Sequence, residues 1–103
     1  MNVVVLIQSG DGGPVRIVPA TDKNYQRRVL ALQAGSVPLL RICAVLDGDE
    51  RLERTLRRAW IDARRDRDWY EPTVLDAIPG DVERLELHDE ERRIAIVDLR
   101  GMA

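Results

Sequence analysis

The chain has 103 residues, enough for one domain with its own core but little to spare. Hydrophobic residues make up 45% and there is no Phe, so the core has to be built mainly from Leu, Ile, Val and Ala. A net charge of −2 argues against a uniformly basic nucleic-acid binder, and no apolar run approaches the ~20 residues of a bilayer span.

In chain order, Val3 to Ile7 is a continuous β-branched and Leu run, which suits a strand buried on both faces. Ser9-Gly10-Asp11-Gly12-Gly13 supplies the positive φ of a hairpin, and Pro14 opens a return strand that Val18-Pro19 should end. The two strands should pair antiparallel. Thr21 or Asp22 is placed to cap a helix over 22–34, with Gly35 as its stop and Tyr25, Val29 and Leu32 as its core stripe. Residues 39–46 read as a third strand, expected at the centre of the sheet, with Cys43 as a buried, inert thiol. Asp49 is a good N-cap for a helix over 50–65, where Leu52, Leu56, Ala59, Trp60 and Ala63 form one apolar stripe. Pro72 to Ile78 reads as a short helix, 81–91 as an acidic segment that includes the single histidine, His88, and Arg93 to Leu99 as strand-like.

Charge is unevenly distributed. Residues 16–67 hold twelve Lys or Arg against seven acids, whereas 71–91 hold eight acids against one base, Arg84. This asymmetry predicts a basic face and an acidic appendage. The lone cysteine cannot form an internal disulfide, and the N-terminus lacks the basic flank and cleavage site of a signal peptide. Both point to a cytoplasmic, non-membrane protein.

Several short motifs occur in a telling order. They are the first-strand run Val3-Val4-Val5-Leu6-Ile7, then Arg16-Ile17-Val18, Arg28-Val29-x-x-Leu32-Gln33-x-Gly35, Leu52-Glu53-x-x-Leu56-x-x-x-Trp60 and Asp68-Trp69-Tyr70-Glu71-Pro72. This succession, over about residues 4–78, resembles the small phage- and bacteria-type branch of the GIY-YIG nuclease superfamily. The resemblance implies an α/β fold: a small, mainly antiparallel three-stranded sheet flanked by helices. Residues 1–79 would form that domain, and 80–103 an acidic C-terminal extension.

It also implies metal-dependent cleavage of DNA phosphodiesters. Glu53 would hold one Mg²⁺ or Mn²⁺ ion, and Arg28 and Arg16 would grip phosphate. Read without the family, Glu53 stands i, i+4 from Arg57 and the two make an ordinary surface helix pair. Arg51, Arg54, Arg57 and Arg58, with Trp69 and Tyr70 as stacking residues, are the candidates for nucleic-acid contact.

The departures from the family pattern matter as much. Val5 stands where the family has a water-positioning tyrosine, Val18 where it has glycine, Arg57 where it has histidine, and Arg67 precedes Asp68 where it has glycine. Cleavage is therefore expected to be weakened or lost. The alternative is a catalytically inactive module of the same fold that binds nucleic acid or a protein partner. A third reading is an oligomerising protein that uses 93–99 as a sheet edge.

Overall fold

The computed structural model describes residues 1–34 and 39–84. Gly35, Pro38, His88, the strand-like 93–99 segment and most of the expected C-terminal extension lie outside the described residues.

The class is α/β, as expected, but among the described residues the sheet has five strands where three were expected. They are β1 (Asn2–Ser9), β2 (Val15–Thr21), β3 (Leu40–Asp47), β4 (Arg64–Asp66) and β5 (Trp69–Tyr70), in the spatial order β3-β1-β2-β5-β4 with every pairing antiparallel. The helices are α1 (Tyr25–Gln33) and α2 (Glu50–Ala59), followed by 3-10 turns at Ile61–Ala63 and Pro72–Ala77. None of them is long and apolar enough to cross a membrane.

β1 is buried on both faces because a helix covers each. Val3, Val5 and Ile7 pack with Tyr25 and Val29 of α1, while Val4 and Leu6 pack with Leu56 and Trp60 of α2. The hairpin joining β1 to β2 turns through Gly10 (φ 69°) and Gly12 (φ 75°), as its glycines predict.

Among the described strands β3 is outermost and not central, though its far side is not bare: Leu46 forms an antiparallel bridge with Arg84, and the Asp47 N–H donates to the Glu83 carbonyl at 2.8 Å. A continuous apolar run reports burial of both faces, not pairing of both edges, so it could not separate the two placements. Its alternation breaks at Cys43, skipped where Leu6 pairs with Ala44 and Ile7 with Ile42. That bulge sends Leu40 and Ile42 to the α1 side but Ala44 and Leu46 to the α2 side. Cys43 is half-buried, not fully buried, and lies 3.7 Å from the Gln8 amide oxygen.

Both helices are shorter than expected. Residues 22–24 form a turn in which Asn24 and Thr21 exchange hydrogen bonds (Thr21 N–H to Asn24 Oδ1, 2.8 Å; Asn24 N–H to Thr21 O, 3.2 Å), so α1 starts only at Tyr25. On α1, Tyr25 and Val29 are buried as the stripe requires, but the third buried residue is Gln33, with Leu32 only partly covered. α2 begins at the expected Asp49 cap, whose carboxylate accepts from the Arg51 N–H at 2.9 Å. It ends at Trp60, whose indole is buried against Tyr70 (ring centroids 6.0 Å apart, edge-on) and donates to the Ala77 carbonyl at 3.3 Å. Beyond it, Arg64 to Asp66 has no apolar stripe to sustain a helix and pairs with β5. Ala59, expected on the stripe, is exposed.

Candidate functional site

β5 pairs with β2 only at Val15 and Arg16, although β2 continues through Pro19 to Thr21. Past Arg16 the outer edge of β2 has no strand beside it among the described residues. Such an edge invites unwanted pairing. Here it is blocked: Pro19 has no N–H to offer, its carbonyl accepts from Arg28 Nη1 at 3.0 Å, and Thr21 is engaged by Asn24. This is why β2 runs through the proline expected to end it.

Along this edge lies a cleft of about 420 Å³, bounded by α1 on one side, α2 on the other and the β4–β5 turn at its end. Arg16, Arg28 and Glu53, from three different elements, all line it, together with Val18, Arg57 and Asp68. Val5 does not. It is fully buried on the α1 side, opposite Val18 in the β1–β2 ladder.

The charges in the cleft form a ladder. Arg57 donates from Nε (3.0 Å) and Nη2 (2.9 Å) to one Glu53 oxygen, and from Nη1 to Asp68 Oδ1 at 3.1 Å. The other Asp68 oxygen faces Arg16 Nη2 at 3.7 Å. The Arg16 guanidinium also lies over the Trp69 ring, 5.8 Å from its centroid. Burial disfavours the charge on Arg57, but hydrogen bonds to Glu53 and Tyr70 outweigh it and hold the guanidinium above its ordinary pKa. Three guanidiniums against two carboxylates leave the cleft with one surplus positive charge.

This donor set does not fit a divalent cation. One Glu53 oxygen, Oε2, is already committed twice to a fixed positive charge, and an ion on the other would sit beside the same guanidinium. Any ion there would be repelled by Arg57 at contact range. No group of three or more His, Cys, Asp or Glu that could hold a metal occurs among the described residues.

The other expected contact residues divide. Arg51, Arg54 and Arg58, spaced i, i+3, i+7 on the outer face of α2, are exposed. Arg57 has turned inward to the ladder. Trp69 is partly covered by the α1-side core, and Arg16 lies over its ring. Tyr70, a candidate for stacking on bases or for packing on the sheet, is 2% exposed and part of the α2-side core. Strand alternation between adjacent residues forces this split, since Trp69 and Tyr70 must face opposite sides of the sheet.

Two motif residues have structural work that their spacing did not disclose. Gln33 is buried, and its side-chain oxygen accepts the Leu40 N–H at the start of β3. Arg67 occupies the left-handed region at φ 39°, the conformation that a glycine at this motif position would take without cost. Asp68 is the residue that sequence reasoning undervalued. It appeared only as the acid of a loose motif, whereas in the structure it joins two arginines.

No protein-family model, curated protein or solved structure matches this chain.

Proposed function

We propose that this chain is a nuclease-like scaffold that binds the phosphate backbone of DNA without cutting it. The observation that carries the reading is the placement of Arg57, whose guanidinium pairs with one oxygen of each carboxylate of the cleft, Glu53 Oε2 and Asp68 Oδ1. Hydrolysis of a phosphodiester needs an activated water and a means of stabilising the charge that develops on phosphate. The second requirement is met by Arg16 and Arg28. The first is not: Val5 has no proton acceptor and is buried, and one Glu53 oxygen already accepts two hydrogen bonds from a guanidinium. Phosphate binding is what remains of the chemistry. The exposed arginines on the outer face of α2 extend the positive surface away from the cleft.

The test is a plasmid assay with Mg²⁺ or Mn²⁺, run beside gel retardation of the same DNA at low salt. The expected result is retardation without nicking by the wild type, and the same absence of nicking in Glu53→Ala. Robust nicking that disappears in Glu53→Ala would overturn the reading in favour of an active metal-dependent nuclease.

A further inference from the structure

The geometry points to a single phosphate position between Arg16 and Arg57, held in the unliganded chain by the Asp68 carboxylate, which must swing out before a nucleic-acid phosphate can enter. This inference rests on the nucleic-acid reading above.

Asp68 presents one oxygen to each arginine, Oδ1 to Arg57 Nη1 at 3.1 Å and Oδ2 to Arg16 Nη2 at 3.7 Å. A phosphodiester offers the same arrangement, two anionic oxygens on one central atom, and guanidiniums recognise both groups through the same fork. Each arginine also has an anchor that does not involve Asp68. Arg57 is held by two hydrogen bonds to Glu53, and Arg16 lies over Trp69. Both guanidiniums therefore keep their positions when the carboxylate leaves, so little ordering cost falls on the incoming ligand.

Asp68 itself is free to leave. Its side chain is 45% exposed and is carried by the two-residue turn between β4 and β5, next to the strained Arg67. A rotation about its first side-chain torsion turns it to water, where a carboxylate is well solvated. Arg28 lines the same cleft and adds a third positive group within it.

The experiment measures binding of a fluorescent oligothymidylate at low salt by wild type, Asp68→Asn, Glu71→Gln and the double variant Asp68→Asn/Arg16→Ala, with circular dichroism to establish that each is folded. Glu71 is the charge control: it lies just beyond the same turn but pairs with Arg65 at 2.9 Å, outside the ladder. Asp68→Asn keeps the side chain's shape and removes its charge, so affinity should rise by about five- to tenfold, the effect of freeing two charge-assisted contacts. Glu71→Gln should change it less than about twofold, and removing Arg16 should abolish the Asp68→Asn gain. Inorganic phosphate should displace the oligonucleotide from Asp68→Asn more effectively than chloride at equal ionic strength.

Equal gains in Asp68→Asn and Glu71→Gln would overturn the phosphate position while leaving nucleic-acid binding in place, and so would phosphate and chloride acting alike. No binding by any of the four proteins would overturn this inference and the nucleic-acid reading together.

Discussion

Arg57 directs two of its guanidinium nitrogens at a single oxygen of Glu53, at 3.0 and 2.9 Å, from one helical turn away. A carboxylate held in this way is a helix-stabilising partner and not an open metal ligand. A titration with Mn²⁺ followed by calorimetry or paramagnetic resonance should give no saturable binding by the wild type. Stoichiometric binding that is lost in Glu53→Ala would show that the ion displaces Arg57.

The same pair makes a stability prediction. Arg57→Ala strips a partner from both Glu53 and Asp68, whereas Glu53→Ala leaves Arg57 still bonded to Asp68. The groups are partly exposed, so solvent screening keeps the values small. Urea unfolding should show a loss of about 1 kcal/mol for Arg57→Ala and about 0.5 kcal/mol for Glu53→Ala. The reverse order would mean that the Asp68 contact contributes nothing.

Arg67 holds a backbone conformation that costs an L-residue roughly 1–2 kcal/mol. Replacing it with glycine removes that cost but adds freedom to the unfolded chain. A net stabilisation of about 0.5–1 kcal/mol is expected for Arg67→Gly by the same unfolding measurement. A loss of stability would show that the side chain of Arg67 supplies more than the strain removes.

Trp60 terminates α2, meets Tyr70 edge-on and donates to the Ala77 carbonyl. Trp60→Ala should therefore cost about 3–5 kcal/mol. Against the roughly 5–15 kcal/mol that holds a typical domain together, this should leave the variant marginally folded at best. Thermal melting followed by near-ultraviolet circular dichroism checks it, and a shift of only a few degrees would contradict the packing role.

What could be read from the sequence follows from which signals are local. The unbroken Val3–Ile7 run correctly predicted a strand buried on both faces, and Asp49 before Leu52 and Leu56 predicted the capped start of α2. The β4–β5 hairpin left no comparable trace. Its strands are three and two residues long, and β4 is wholly exposed, so no alternation exists to detect. The outermost place of β3 among the described strands and the bulge at Cys43 depend on what pairs with the strand, which composition does not encode.

The site divides in the same way. Arg16, Arg28 and Glu53 were singled out by their places in ordered motifs, and they do line one cleft. The link from Arg57 to Asp68 was not legible, because it joins a helix to a distant turn and no residue spacing marks such a contact. Only the i, i+4 relation of Glu53 and Arg57 was visible in the spacing, and the two do pair in the structure.

Whether the cleft takes phosphate through arginine is decided by the salt dependence of single-stranded DNA binding for wild type and Arg28→Ala. Arg28 is exposed, and its side chain donates to the Pro19 carbonyl, so its removal should leave the fold intact. Binding should be weak, and its logarithm should fall linearly with the logarithm of salt concentration. The slope should become shallower by about 0.7 in Arg28→Ala, the value for one lost phosphate contact on a single strand. Binding absent at low salt, or an identical slope in the two proteins, would contradict phosphate binding through arginine.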